Sequence, residues 1–282
     1  MWEFTDDTGQ VLRADRRPER TVAYVRAGAA LHDLGVRPVA VYGSDHDGDR
    51  IDPAKGGALP AAAVPYLGPG GTLADEDLAA LRPDLIVDVT YDEKSAYALD
   101  EALACRLGVP LLTLSVGGAP LTAILERFAA LADALRPRQP APGAVPELGE
   151  AEDALRAALA AGPPPRVLAL SGAGPDRVHL ARPDTWPELH HLSGLGVPLL
   201  DPGPGPGVNW LTTGWEHVTR LRPDLLLVDG RAHASRPRTG SGAVTVPWNP
   251  EAPPSPAAYA RFFTAVAGGI AARPVRSRAR PV

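Results

Sequence analysis

The 282-residue chain is poor in the residues that carry several common chemistries. Cys105 is the only cysteine, which excludes an intrachain disulfide and a thiolate zinc cluster. Lysine occurs only at Lys55 and Lys94, and a net charge of −5 gives no reason to expect a nucleic-acid partner. No window reaches the roughly 18 consecutive apolar residues of a membrane helix. The start "MWEFTDDTGQ" has neither a signal-peptide pattern nor a lipid-acceptor cysteine, so a cytoplasmic protein is expected, or an extracytoplasmic one if a leader was trimmed.

The sequence also lacks the usual marks of catalysis. It has no P-loop and no GxSxG elbow, and Cys105 lies in a predicted helix where a buried core thiol is expected rather than a nucleophile. The segment "PGPGPGV" (202–208) alternates proline with glycine. Proline lacks the backbone donor that a phosphate cradle needs, so this segment is expected to be a stiff loop. The protein is therefore predicted not to be an enzyme.

Metal sites are also not predicted. "SDHDGDR" (44–50) begins like a calcium loop, but Arg50 and Gly56 stand where glycine and glutamate are required, which favours a solvated acidic loop. The histidines are scattered without metal-ligand spacing. No intrinsic cofactor is expected.

What the chain does contain is a repeated line, "LRPDLIVD" (81–88) and "LRPDLLLVD" (221–229). In the first half, apolar runs at 20–25, 38–43, 83–89 and 109–115 predict buried strands, and segments at 27–35, 74–81 and 95–107 predict helices. In the second half, 166–174 resembles 20–28, 195–201 resembles 34–41, and 215–229 resembles 75–88. This order predicts an α/β protein with two Rossmann-like lobes, each built on a parallel-rich sheet.

Between the halves, residues 119–136 place apolar side chains at helical spacing and predict a long helix that joins the lobes. A Pro- and Gly-rich stretch (137–149) follows it. The predicted boundaries are residues 1–118 for the N-terminal lobe, 119–162 for the linking helix and connector, and 163–282 for the C-terminal lobe. A ligand cleft is expected between the lobes. The last helix is predicted near 256–272, before an Arg-rich tail.

The segments "FTDDTGQVLRADRRPERTVAYVRAG" (4–28) and "LGVRPVAVYG" (34–43) resemble the class III substrate-binding proteins of ABC importers. A glutamate seven residues before each "PD", Glu76 and Glu216, strengthens the resemblance. The resemblance implies a ferric siderophore as ligand, or haem or a corrinoid, and docking of Glu76 and Glu216 to arginine pockets of a permease. Either glutamate would also stabilise a helix dipole without any partner. A monomer is expected.

Ligands of open α/β sheets bind at the carboxyl ends of the strands, and class III relatives line this place with aromatic and arginine side chains. Arg26 and Arg177 follow equivalent strands and would suit an anionic ligand, although solvated arginines would look the same. Each tryptophan has ordinary packing as its alternative. The predicted ligand-binding residues are Tyr24, Arg26, Tyr42, Ser44, His46, Tyr66, Thr90, Tyr91, Arg177, Trp186, Trp210, Trp215 and Trp248.

The sequence therefore predicts a protein that binds a metal chelate or macrocycle. The alternative is a cytoplasmic enzyme or biosynthetic accessory protein on the same scaffold, because a fold does not fix a function.

Overall fold

The computed structural model describes residues 1–136, 147–236 and 242–273. The chain forms two compact units. The first unit comprises Met1–Leu148, Gly230–His233 and Asn249–Tyr259, and the second comprises Gly149–Asp229, Ala234–Trp248 and the residues from Ala260 onward. The predicted boundaries cut the chain into consecutive pieces, whereas two later segments belong with the first unit. Most of the Pro- and Gly-rich stretch and the Arg-rich tail lie outside the described residues.

The first unit contains a β-hairpin and a five-stranded sheet with helices between the strands. In chain order its elements are β1 (Trp2–Thr5), β2 (Val11–Ala14), β3 (Thr21–Tyr24), α1 (Val25–Asp33), β4 (Ala40–Gly43), α2 (Pro53–Gly56), β5 (Tyr66–Pro69), α3 (Asp75–Ala80), β6 (Leu85–Thr90), α4 (Glu101–Leu107), β7 (Leu111–Ser115) and α5 (Leu121–Leu135). The strand order is β5-β4-β3-β6-β7, and every pairing is parallel. The predicted parallel sheet is confirmed; the hairpin and β5 were not predicted.

The apolar runs explain why this sheet forms. Every residue of β6 is buried, as expected of a central strand covered on both faces by helices. Along α5 the predicted stripe, from Leu121 through Phe128 to Leu135, is buried. The prediction for Cys105 was wrong: it lies in α4 as expected but is exposed, because Leu103 and Ala104 occupy the buried face of that short helix.

The second unit also contains a five-stranded sheet. Its elements are α6 (Leu148–Ala160), β8 (Val167–Gly172), β9 (Val178–Ala181), α7 (Pro187–Gly194), β10 (Trp210–Thr213), α8 (Trp215–Leu221), β11 (Leu225–Asp229), β12 (Val244–Trp248) and α9 (Pro256–Ala271). The strand order is β10-β9-β8-β11-β12. β8, β11 and β12 are parallel, but β9 runs antiparallel to both of its neighbours.

Of two predicted correspondences between the halves, the first holds for the strands β3 and β8 but not for the residues after them, and the second was wrong. Residues 27–28 lie in α1, whereas 173–174 form the turn into β9, in which Ala173 N donates to Arg177 O and Gly174 adopts a φ of +111°. The chain therefore reverses after β8 instead of entering a helix. Residues 195–201 form no strand and contribute only one bridge, between Leu199 and Val167, since β9 pairs with the rest of that edge of β8.

The repeated line forms the same corner in both units. Asp84 accepts hydrogen bonds from the backbone N of Arg20 (2.7 Å) and Asp224 accepts one from the backbone N of Arg166 (2.9 Å). The guanidinium of Arg20 donates to Leu81 O, and that of Arg166 donates to Leu221 O, so each arginine caps the end of the helix before the corner. The repeat is thus a structural device that joins a helix end to two neighbouring strand starts.

Within the described ranges 1–136, 147–236 and 242–273, we find no helix that is both long enough and apolar enough to span a bilayer.

Candidate functional site

The carboxyl end of the first unit's parallel sheet gathers four tyrosines. Tyr24 ends β3, Tyr42 lies in β4, and Tyr91 and Tyr97 lie on the loop that follows β6. Ring centroids are 6.2 Å apart between Tyr24 and Tyr42, 5.7 Å between Tyr24 and Tyr97, and 4.9 Å between Tyr91 and Tyr97. Tyr24 and Tyr42 are fully buried, whereas Tyr91 is 44% exposed. The cluster therefore has an interior base and an accessible edge formed by Tyr91.

Arg26 lies beneath that edge rather than in open solvent. It occupies the first turn of α1 and is only 3% exposed. Its Nε donates to Ala252 O at 3.0 Å, and its Nη1 donates to the Tyr91 hydroxyl at 2.9 Å. The prediction that Arg26 contacts a ligand remains a prediction, but the observed bonds give it a second role, since they orient Tyr91.

Tyr42 is held by a buried carboxylate. Its hydroxyl donates to Asp88 Oδ2 at 3.0 Å, and Asp88 is inaccessible to solvent. Burial raises the pKa of Asp88 to about 6, although its hydrogen bonds lower the pKa. Burial also raises the pKa of Tyr42 well above its ordinary value, and the charge of Asp88 adds to that rise. Tyr42 therefore remains a neutral donor to Asp88.

The acidic loop after β4 is tied down by a buried lysine. Lys55 Nζ lies 2.8 Å from Asp47 Oδ1 and 2.5 Å from Glu251 Oε2, and all three side chains are at most 7% exposed. Ser44 donates to Asp47 through its backbone N (2.7 Å) and its hydroxyl (2.9 Å). Burial raises the pKa of Asp47, but the hydrogen bonds from Lys55 and Ser44 together outweigh burial, and the net pKa is lowered. The expectation of a solvated loop was therefore wrong for Asp47, although Asp45 is exposed.

The remaining predicted residues of the first unit flank these two clusters. Tyr66 donates to Gly48 O at 3.1 Å, and burial, followed by the charge of Asp47, raises its pKa to about 12. Thr90 is buried and donates to Asp92 Oδ1 at 2.9 Å. His46 is exposed, with its ring 6.4 Å from that of His233.

Metal ligands do not cluster in the part of the chain that the structure describes: no group of three or more His, Cys, Asp and Glu side chains there could hold an ion.

The second unit gathers three tryptophans on one face of its sheet. Leu170, Leu180 and Leu211 are paired across three strands and share a face. Because side chains alternate along a strand, Trp210 points to the opposite face, and the register of β12 places Trp248 there as well. The Trp210 and Trp248 ring centroids are 5.7 Å apart. Both rings contact a third tryptophan.

Trp186 is that third ring, 4.9 Å from Trp210 and 5.6 Å from Trp248 between centroids. Trp248 is 1% exposed and donates its indole N–H to the buried Glu188 (3.0 Å), whereas Trp186 and Trp210 are half-buried. Trp248 thus supports the other two rings, which have accessible surface.

The other predicted residues of the second unit lie apart from this cluster. Trp215 begins α8 and packs on the apolar cluster of Leu168, Leu170 and Leu226, on the sheet face opposite Trp210. Its buried indole nitrogen has no hydrogen-bond partner among the described residues. Arg177 is exposed and directly precedes β9, at the end of the turn that follows β8. It does not share the local environment of Arg26, because α1 and this turn are different structures.

The two predicted docking residues occupy matching places. Glu76 lies in the first turn of α3 and Glu216 in the first turn of α8, and both are exposed. A methyl group at Gly214 would meet the Glu216 carboxylate at 2.2 Å, so this side chain folds back over the start of its own helix. Both interpretations of the glutamates fit this geometry, because a first-turn carboxylate stabilises its helix whether or not a partner binds it.

The loop at 202–208 has an organiser that the sequence did not reveal. The guanidinium of Arg182 donates to three glycine carbonyls, Gly203 O (3.0 Å), Gly205 O (2.9 Å) and Gly207 O (3.0 Å). These glycines have positive φ angles of 92°, 155° and 94°, and the prolines between them have fixed negative φ. The alternation directs every second carbonyl toward Arg182, which gives the loop one internal anchor; its stiffness stays a prediction.

Sequence reasoning missed Asp88, Tyr97, Lys55, Glu251 and Arg182. A charged residue inside an otherwise apolar strand was a usable indication for Asp88, since a buried carboxylate needs donors. No local pattern joins Lys55 to Glu251, which is 196 residues further along the chain.

No protein-family model and no curated protein sequence matches the chain. Solved structures do match it. DesE, a ferric-siderophore receptor protein from Streptomyces coelicolor, is 25% identical with a TM-score of 0.81, over 97% of this chain and 99% of that one. The siderophore periplasmic binding protein from the fuscachelin gene cluster of Thermobifida fusca has 17% identity and a TM-score of 0.60 over 90% and 96% of the two chains. The periplasmic heme-binding protein RhuT from Roseiflexus has 17% identity and a TM-score of 0.57 over 90% and 98%.

This chain has the fold of the class III substrate-binding proteins. The class III fold predicted from the repeated line and the N-terminal segments is confirmed. The named neighbours are binding proteins, and their metal chelates are bound ligands rather than intrinsic cofactors.

Proposed function

We propose that this protein binds a ferric siderophore and carries out no catalysis. The observation that carries the proposal is the likeness to the ferric-siderophore receptor DesE, which extends over 97% of the chain with a TM-score of 0.81. Haem and corrinoids are the next candidates for the ligand. The proposed contacts are predicted site residues that have accessible surface, namely His46, Tyr66, Tyr91, Arg177, Trp186 and Trp210. In the tyrosine cluster, Tyr91 has the largest exposed fraction.

The charges of the first unit support a ligand of low net charge. Arg26 donates to Ala252 O and Tyr91, and Lys55 is paired with Asp47 and Glu251. Both cations already bind groups of the protein, so the accessible edge of the cluster offers an aromatic ring and a hydroxyl. Such groups suit a neutral ferric trihydroxamate better than a multiply anionic ferric catecholate.

The direct test is a titration of the purified protein with ferric desferrioxamine B, a ferric tricatecholate, haemin and cyanocobalamin, followed by tryptophan fluorescence. We expect the ferric trihydroxamate to quench with a Kd of roughly micromolar or tighter. N-acetyltryptophanamide, titrated in parallel, corrects for absorption of light by the ligand. If none of the four ligands binds at micromolar concentration, the proposed function is wrong.

We propose further that Glu76 and Glu216 dock the protein to an ABC permease. Their matching positions in the first turns of α3 and α8 support this proposal. A permease partner requires the protein to work outside the cytoplasmic membrane, so fractionation of native cells with an antibody separates this proposal from the alternative of a cytoplasmic accessory protein. Recovery of the protein only in the cytosol would contradict a docking role.

A further inference from the structure

The loop between β6 and α4, residues 91–100, is fixed to the sheet by Asp88. Asp88 Oδ2 accepts hydrogen bonds from the backbone N of Ala98 (3.1 Å) and Leu99 (2.9 Å), as well as from Tyr42. Its Oδ1 accepts a bond from the backbone N of Val89 at 2.7 Å. One buried carboxylate therefore joins β6, β4 on the far side of β3, and the far end of the loop.

The same loop is supported at other points along its length. Asp92 Oδ1 accepts bonds from the backbone N of Lys94 (2.9 Å) and Ser95 (3.0 Å), which form a tight turn. Gly70, directly after β5, lies against the loop so closely that an added Cβ would meet Ala98 O at 1.9 Å. Ala98 is thus held from two sides, by Asp88 and by Gly70.

The loop carries the two aromatic residues at the accessible edge of the tyrosine cluster. Tyr91 begins it, and Tyr97 directly precedes the two amides that Asp88 binds. Tyr97 contacts both Tyr91 and the buried Tyr24 through its ring. A shift of Ala98 therefore moves Tyr97 and, through the ring contact, Tyr91.

We propose that Asp88 is a positioning residue for ligand binding, which sets the orientation of Tyr91 and Tyr97 by fixing residues 98–99. The proposal rests on the proposed function, because it assigns these tyrosines to the ligand site. It predicts that ligand affinity depends more strongly on Asp88 than on another carboxylate near β6 that also accepts hydrogen bonds from two successive backbone amides.

Asp84 supplies the matched control. It directly precedes Leu85, the first residue of β6. Its carboxylate accepts hydrogen bonds from the backbone N of Glu19 and Arg20, as that of Asp88 does from Ala98 and Leu99. In Asp88→Asn, the amide must direct its NH₂ group at backbone donors in either orientation, since both carboxylate oxygens are acceptors. Asp84→Asn makes the same chemical change far from the tyrosines. Gly70→Ala displaces Ala98 without any change of charge.

The experiment measures the Kd for ferric desferrioxamine B and the hydrogen exchange of residues 91–100 in the unliganded full-length protein. We expect Asp88→Asn and Gly70→Ala each to weaken binding about tenfold or more and to speed exchange in the loop. Asp84→Asn is expected to lower the Tm but to leave the Kd within about twofold of wild type.

Each outcome decides a separate point. If the folded Asp88→Asn protein binds as tightly as wild type, or if Asp84→Asn weakens binding equally, the positioning role is wrong. If wild type itself binds none of the test ligands, the proposed function fails, and unchanged loop exchange in Asp88→Asn would then show that Asp88 does not fix the loop either.

Discussion

At the scale of single residues, the first unit contains buried charges that form ion pairs with each other. Lys55 is inaccessible to solvent and lies between two carboxylates, one from the loop after β4 and one from a segment that follows β12. A buried ion pair adds little net stability compared with an apolar pair, but removal of one partner leaves an unpaired charge. Asp47 therefore depends on Lys55 for its counter-charge, whereas Glu251 also has the guanidinium of Arg231 at 3.5 Å.

We expect Lys55→Met to destabilise the protein by about 3–5 kcal/mol, because Asp47 would remain buried without a cation and Glu251 would keep only Arg231, at 3.5 Å. The measurement is the free energy of unfolding in urea. The double variant Lys55→Met/Asp47→Asn removes the carboxylate that loses its cation and should recover part of the loss. Lys94→Met, at the exposed second lysine, serves as the control and should change the free energy by less than about 0.5 kcal/mol. Equal effects at Lys55 and Lys94 would contradict the assigned role.

Asp88 gives a pH dependence with a definite sign. Its pKa is raised to about 6 in the folded protein, so between its ordinary pKa and about 6 the folded state binds the proton more strongly than the unfolded state. Stability contributed by this group therefore rises as the pH falls from 6 to 4 and is constant above that window. Tyr42, its hydrogen-bonded neighbour, has a raised pKa and stays protonated throughout.

We expect the unfolding free energy of wild type, relative to Asp88→Asn, to increase by up to about 3 kcal/mol between pH 6.5 and pH 4. Urea unfolding of both proteins at several pH values measures this difference, and the other carboxyl groups cancel in the comparison. Parallel pH profiles for the two proteins would show that Asp88 has an ordinary pKa.

At the scale of elements, the repeated corner includes one unfavourable backbone conformation in each unit. Arg82 and Arg222 have φ angles of 47° and 46°, in the left-handed helical region. Residues with a Cβ adopt this region at a steric cost, which is smaller for asparagine and aspartate. Each arginine directly precedes a proline, which disfavours a right-handed helical conformation at that position. The helix must end there, and the left-handed residue turns the chain toward the strand.

We expect Arg82→Gly and Arg222→Gly each to stabilise the protein by up to about 1 kcal/mol, because glycine adopts this conformation without steric cost. Thermal unfolding measures the change as a rise in Tm. Ala130→Gly, at an exposed position in the interior of α5, is the contrasting variant and should destabilise by about 1 kcal/mol, since glycine is unfavourable inside a helix. A loss of stability in both corner variants would mean that the arginine side chains matter more than the backbone.

Prediction from sequence succeeded at this scale where a local pattern determined the structure. The buried run of β6 and the apolar stripe of α5 were both identified from periodicity. β9 was missed because residues 173–174 match 27–28 in sequence, while Pro175 and the positive φ of Gly174 favour a reversal there. The site was less predictable: Asp88 contacts amides ten and eleven residues away, and Lys55 contacts Glu251 near the other end of the chain.

At the scale of the whole molecule, a binding protein that serves a transporter must keep ligand binding and docking separable. The candidate docking residues, Glu76 and Glu216, are exposed on helices, whereas the tyrosine and tryptophan clusters lie at the sheets. Each unit has one of these glutamates, in the first turn of the helix that precedes the repeated corner. A substitution at either glutamate should therefore leave both aromatic clusters intact.

We expect Glu76→Ala and Glu216→Ala each to reduce uptake of the ferric siderophore in cells at least about tenfold, with the Kd of the purified protein unchanged. Uptake of radioactive iron with the cognate permease present measures the first quantity. Asp77→Ala changes the exposed acid next to Glu76 in the same helical turn and should leave uptake at the wild-type level. Normal uptake by the Glu76→Ala/Glu216→Ala double variant would restrict both glutamates to stabilising their helices.

The Arg182 loop behaves like a crown ether whose guest belongs to the same chain: three carbonyl oxygens converge on one guanidinium. Such a host can be emptied and refilled. In Arg182→Ala, free guanidinium ion at concentrations too low to denature the protein should re-enter the ring and recover part of the lost Tm, while tetramethylammonium, which has no N–H donors, should not. The shape of this loop would then depend on the concentration of a small solute, which converts a fixed structural feature into a chemically controlled one.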